Sequence, residues 1–523
     1  MRLSLIFVAL SVATSQTNVL TYHNDIARTG QNLSETILTL SNVNSTTFGK
    51  LFFTTLDGKV DAQPLYVAGV AIPSQGTHNV LIVATENDSM YALDADNGSQ
   101  LWQTSLLKSG ETPSDDRNCT QVVPKIGITA TPVISLAGGT ANGIIYAVAM
   151  SKDSSGNYHQ RLHALTLTGG IEALGGPVDI QAQYPGKGVG SSGGIVTFAP
   201  GQYLERAALL LLNGVVYMGW GSHCDLPPYT GWIMGYNAST LGQSSVLNVT
   251  PNGSRGSIWG AGAGLAADSS GNIYFLDANG TFDTTLNSQG FPANGDFGNA
   301  FMKLSTTGNQ LAVADYFNMY NTVAESSVDE DLGSGGALVL PDLKDASGHV
   351  HQLVVGAGKD TNIYLADRDN MGKFNSQNND NIYQELTAAL TGPVRGMPAY
   401  YHGLVYFGAL NDHIRAFQLQ NALLSSTPVT MTATAFPYPG TTPGISANGS
   451  TNGILWAVEN GSTAVLHAYA ANNLARELYN SSQAPNGRDQ FGPGNKFITP
   501  TIVNGKVYVG TPTGVAAFGL LGQ

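Results

Sequence analysis

The chain has 523 residues, with 36 Asp and Glu against 23 Lys and Arg and a formal net charge of −13. Only 11% of residues are charged and 63 are glycine, which argues against nucleic-acid or anionic-membrane binding, both of which need clustered cations. It also argues against a helical protein, since glycine costs about 1 kcal/mol at each helix-interior site. What remains is a mostly β protein, either two to three average domains or one large repeat-built unit.

In chain order, Met1-Arg2 supplies a short basic start, residues 3–12 an apolar run, and Ala13-Thr14-Ser15 a small-residue cleavage pattern. This predicts a signal peptide over residues 1–15, a secreted or periplasmic location, and one domain over 16–523. The run is too short to span a bilayer, which takes about 20 apolar residues.

A repeated unit follows: a Gly turn, a β-branched or Tyr strand, a polar loop, a second strand ending near Ala-x-Asp or Ala-Phe, and a third strand. It occupies 79–106, 143–167, 214–241, 271–311, 351–370, 403–419, 453–479 and 505–521. Further strands precede several units, at 127–134, 396–403 and 498–505. Alternating apolar and polar positions between turn residues give four strands per unit. Eight such units predict an all-β fold, an eight-bladed β-propeller. The last unit stops after its third strand, and 49–56 (GKLFFTTL) resembles the outer strand 100–106. Closure is therefore expected by pairing N- and C-terminal segments. Segments 183–202 and 372–394 are rich in Gly, Asn and Gln and read as long loops between blades. Twelve Asn-x-Ser/Thr sequons, among them Asn32, Asn44, Asn118, Asn248 and Asn480, would be open to glycosylation on export.

Ala92-x-Asp94 with Asn97-Gly98 and Trp102 resembles the tryptophan-docking repeat of the quinoprotein alcohol dehydrogenases, in which an outer-strand Trp packs on the next blade. The resemblance spans about 50–521 as repeat rhythm. Fold alone assigns no activity, because the same propeller also builds cofactor-free scaffolds.

Further stretches are similar to that family's axial loops, in the family's order. Gly221-Ser222-His223-Cys224-Asp225 followed by Gly231 to Tyr236 puts Asp225 where a Glu ligates Ca²⁺. Ser257-Ile258-Trp259-Gly260 puts Trp259 under the quinone as a floor. Asp277-Ala278-Asn279-Gly280 offers Asn279 to the metal. Asp329-Glu330-Asp331, ahead of Gly335-Gly336-Ala337-Leu338, makes Asp331 the expected catalytic base and a metal ligand. Lys359 to Arg368 matches the segment whose cation contacts the quinone oxygens, making Lys359 both catalytic and cofactor-binding. Arg395, His413 and Glu459 fall at corresponding inner-loop places, and Asp367-Arg368 reads as a structural ion pair. The resemblance implies pyrroloquinoline quinone and calcium as cofactors, and a small alcohol or sugar as substrate. Ca²⁺ suits such oxygen ligands, and a carboxylate base suits alcohol oxidation.

Two departures qualify the likeness. The family's vicinal cysteine pair is absent; the only cysteines are Cys119, about where that pair would lie and hence expected beside the cofactor, and Cys224 in the metal-loop match. On axial loops in an oxidising compartment they are expected to form a Cys119–Cys224 disulfide. No Cys-x-x-Cys-His haem motif occurs, so electrons would pass to an external acceptor, from what is expected to be a monomer. Besides the dehydrogenase, a cofactor-free propeller that binds protein or glycan through its axial face stays open. A hydrolase or lyase on the same ring has no motif in its favour.

Overall fold

The computed structural model describes residues 17–522; the expected signal peptide lies outside them. Eight antiparallel sheets repeat around an axis. Their innermost strands are Leu65–Ile72, Val133–Ser135, Leu210–Leu212, Ala266–Ala267, Leu338–Val339, Ala399–Tyr401, Gly444–Asn448 and Thr501–Val503, numbered here as blades one to eight. Blade one shows the full unit, continuing outward through Gly76–Ala84, Ser89–Asp94 and Gln100–Ser105. Blade eight takes its outer strand from the other end of the chain: Phe48–Thr55 pairs antiparallel with Gly514–Leu520, the expected closure. Among the described residues the one α-helix is Thr322–Ser327, and no helix is long and apolar enough to cross a membrane.

Local chemistry sets the hairpins. Three turns share an Asp-x-Ser-Gly-Asn/His pattern beginning at Asp153, Asp268 and Asp345. In each, one Asp oxygen accepts the backbone N–H groups two and four residues on, at 2.8–3.0 Å. The glycines Gly156, Gly271 and Gly348 take φ of 85–87°, a region closed to most side chains. Between blades, Trp102 docks as expected. Its Nε1 donates to the Leu167 carbonyl at 3.1 Å, and its ring covers Gly170, where a Cβ would come within 2.6 Å of it.

Three expectations are corrected. Segment 183–202 is not plain loop: Gln183–Pro185 pairs with Ile195–Thr197. Within 372–394, Gln384–Leu386 is the outer strand of blade five. All three strands are three residues long, too short for alternation to register. Arg368 pairs with Asp268 (3.2 Å) and Asp342 (3.8 Å) rather than with Asp367, because adjacent strand residues point to opposite faces. The sequons at Asn32, Asn248 and Asn279 are buried.

The N-terminal segment holds the ring together in a way the repeats do not announce. Its backbone bonds blade one (Val19 with Tyr66, 2.9 Å), blade two (Leu20 with Ile134, 2.8 Å), blade four (Ile26 with Ala267, 2.7 Å) and blade five (Ala27 with Val339, 3.0 Å). It goes on to blade six (Thr29 with Tyr400, 2.8 Å) and blade seven (Gly30 with Ile445, 2.7 Å). The Arg28 side chain reaches Leu209 O beside blade three (3.1 Å), and Asn32 reaches Ile502 O in blade eight (3.0 Å). These contacts fall on or next to the innermost strand of every blade, so residues 19–32 plug the axis.

Candidate functional site

Beside the plug, loops from several blades, many of them leading into the innermost strands, surround a cavity of about 370 Å³, within the usual range for small-molecule sites. Its floor meets the plug: the Tyr22 hydroxyl donates to Gly262 O at 2.6 Å, next to the cavity-lining Ala261.

The structure brings together Asp225, Trp259, Asn279, Asp331, Lys359 and Arg395, which all line this cavity. They come from the connections of blades three to six. Cys224 lines it too and is disulfide-bonded to Cys119, 105 residues earlier. Cys119, expected beside the cofactor, is itself buried and not among the lining residues, so Cys224 presents the disulfide to the cavity. Glu459 is not brought in either; it pairs with His467 at 3.1 Å, and His413 does not line the cavity.

The polar side is a compact charge cluster. Lys359 Nζ lies 2.6 Å from Asp329 Oδ1 and 2.8 Å from Asp331 Oδ1. Asn279 Nδ2 donates to Asp329 Oδ1 (2.9 Å) and, more weakly, to Asp225 Oδ2 (3.4 Å). Asp225 Oδ1 accepts from Tyr229 (2.6 Å) and Ser222 (3.0 Å). Burial pushes the Asp331 carboxyl up, and the Lys359 ammonium opposes that rise. Burial alone would pull Lys359 down, but Asp331 and Asp329 hold it above its ordinary value.

On the apolar side Trp259 and Arg395 were expected, whereas Phe497, Tyr438 and Gln121 were missed in the sequence. Trp259 and Phe497 have centroids 6.5 Å apart, Phe497 meets Tyr438 edge-on at 6.4 Å, and the Tyr438 hydroxyl donates to Gln121 at 2.7 Å. Arg395 sits 5.4 Å over the Tyr438 ring. A signal existed: Trp259, Asp331, Arg395, Tyr438 and Phe497 all stand four to seven residues before an innermost strand. Asp329, noticed as part of the acidic segment, lines the cavity as well.

The loop carrying Asp329 and Asp331 is fixed from beneath. Asn299 accepts from Leu332 N–H (2.8 Å) and donates to Glu325 (3.4 Å), which also receives Asn321 (2.8 Å). Burial first, then the Asp360 charge, pushes Glu325 up to about 8 from an ordinary 4.5. A carboxyl raised on folding contributes stability that is full below pH 4.5 and lost as pH rises to about 8, at up to about 1.4 kcal/mol per unit. Glu325→Gln, which cannot ionise, should therefore gain on the wild type in melting temperature between pH 5 and pH 8. Parallel curves would contradict this.

The donor set fits a hard cation in kind, because Asn279 Oδ1 is buried without a partner and three carboxylates stand beside it. Among the described residues no three His, Cys, Asp or Glu side chains are already disposed around a metal position. Lys359 occupies the space between Asp329 and Asp331, and a cation would compete with its ammonium. A flat, anionic organic group also fits, since Trp259 and Phe497 give aromatic walls and Arg395 Nη1 is buried and unpartnered.

The fold is shared with solved structures. A quinohemoprotein alcohol dehydrogenase from Comamonas testosteroni matches with TM-score 0.60 and 13% identity, over 97% of this chain and 81% of that one. The quinohemoprotein alcohol dehydrogenase ADHIIG from Pseudomonas putida HK5 gives 0.64 and 13%, over 98% and 81%. A europium-containing methanol dehydrogenase gives 0.59 and 13%, over 97% and 99%. No family model matches the chain, and no curated protein matches it in sequence.

Proposed function

We propose that the chain is an exported quinoprotein-like oxidoreductase that oxidises a small alcohol or sugar in the axial cavity. The observation that carries this is the convergence of Asp225, Trp259, Asn279, Asp331 and Lys359, from separate blades, around one cavity. The shared fold with alcohol and methanol dehydrogenases supports it.

Asp225, Asn279 Oδ1, Asp329 and Asp331 would hold the cation, calcium or another hard ion. Trp259, Phe497 and Arg395 would hold pyrroloquinoline quinone. When bound, the quinone supplies the hydride acceptor, polarised by the cation. The rest is the protein's own work. Lys359 keeps Asp331 ionised against its burial, and Asp331 takes the substrate hydroxyl proton on a carboxylate oxygen. The aromatic walls keep water from the reacting carbon. Electrons then leave to an external acceptor. Export agrees with the disulfide, which persists in oxidising compartments, and the exposed sequons Asn97, Asn118, Asn252 and Asn448 are the places for glycans. Domain extent is read as the propeller following a cleaved leader.

The test is dye-linked turnover of alcohols and sugars after loading with quinone and Ca²⁺. Asp331→Asn should cut kcat by at least about 100-fold, the low end for general-base removal, while quinone binding persists. Wild-type turnover at the level of Asp331→Asn across the panel would contradict the assignment.

A further inference from the structure

The Cys119–Cys224 disulfide joins two loops with unusual backbones. Beside Cys119 stand Arg117 and Asn118 at φ 52° and 60°, while Cys224 and Asp225 themselves take φ 50° and 55°. Non-glycine residues in this left-handed region persist only where their surroundings hold them.

The two loops are unequally anchored. On the Cys119 side, Arg117 donates to Gly201 O and the Tyr158 hydroxyl, both at 2.8 Å, and stacks 4.1 Å over the Tyr158 ring. On the Cys224 side the chain runs straight into exposed Leu226, Pro227 and Pro228. Apart from the disulfide, Asp225 is held by its bonds to Ser222 and Tyr229 and by a weak one from Asn279. Cys224 is exposed and faces the cavity, and exposed disulfides are the reducible ones.

We propose that this disulfide is a redox-sensitive latch that holds Asp225 at the cation position, so that its reduction weakens cation binding while the propeller stays folded. The inference rests on the cation-and-quinone reading above. A dithiol breaks the S–S bond by exchange, giving two electrons and two protons to form thiols at Cys119 and Cys224 as it closes to its own disulfide.

The experiment titrates terbium ion, by luminescence, into the oxidised protein and into protein reduced with a dithiol and desalted without oxygen. Thiol counts verify each state, and thermal melts verify the fold. The expected result is an affinity at least tenfold weaker after reduction, restored by reoxidation and reproduced by the Cys119→Ser/Cys224→Ser variant. In Asp225→Asn the affinity should be weak and indifferent to reduction, since the coupling runs through that side chain. Equal affinity in both redox states overturns the latch and leaves the cation site standing. No terbium binding by the oxidised protein overturns the site and the latch together, and loss of the melting transition on reduction overturns the latch in favour of a structural staple.

Discussion

Arg28→Met should destabilise the protein by about 2–4 kcal/mol, read as a lower urea midpoint with little change in slope. Arg28 is fully buried and, among the described residues, pairs with no carboxylate. Its charge is satisfied by Leu265 O (2.8 Å), Tyr22 O (2.7 Å), Leu209 O (3.1 Å) and the Thr21 hydroxyl (2.7 Å). Burial pulls it down only to about 10, so it remains charged at neutral pH. Methionine fills similar volume and escapes the desolvation cost, yet strands several acceptors that water cannot reach. Each buried unsatisfied group costs about 1–3 kcal/mol, and the relief of desolvation offsets only part of that. The effect is large against a typical total of about 5–15 kcal/mol. Arg28→Lys should fall between, because an ammonium cannot span acceptors on two blades. A midpoint shift worth under about 0.5 kcal/mol for Arg28→Met would show that the plug does not lock the ring.

Lys359→Met should raise the affinity of the cavity for calcium or terbium by at least about tenfold, or about 1.4 kcal/mol. The ammonium lies within 2.8 Å of carboxylate oxygens on both Asp329 and Asp331 and so competes with any cation for them. A unit charge about 4 Å away contributes about 4 kcal/mol at an effective dielectric near 20, and screening reduces this without reversing its sign. The same variant should raise the Asp331 carboxyl further, since Lys359 opposes its rise, and so lose turnover near neutral pH. Unchanged or weaker cation binding would place the cation elsewhere than at these carboxylates.

The blades were legible because each repeats the same turn and strand chemistry. Gly-x-Val-Tyr starts and Asp-led turns are local signals, and Phe48–Thr55 was identifiable by its likeness to Gln100–Ser105. Asp225, Trp259, Asn279 and Lys359 were legible because the stretches that carry them resemble the axial loops of the quinoprotein alcohol dehydrogenases, in the same order. What escaped lacks any rhythm. Residues 19–32 bond one blade after another without regular secondary structure beyond Gln31–Asn32, so no periodicity marks them, and an isolated Arg reads as exposed. Tyr438 and Phe497 lie in the loops leading into blades seven and eight, where no stretch was matched to the family's axial loops. Cys119 was placed beside the cofactor by its position ahead of blade two, but sequence spacing does not say which sulfur of a bridge faces inward.

The central claim is that this axial cavity binds a planar quinone together with a cation. Calorimetric titration of the mature protein with pyrroloquinoline quinone, with and without Ca²⁺, tests it most directly. The account predicts micromolar or tighter binding at one site per chain, strengthened by Ca²⁺, with that strengthening lost in Asp225→Asn and Asn279→Ala. Absence of heat and of any thermal shift, with Ca²⁺ present, would contradict it and leave a propeller whose axial face recognises another molecule.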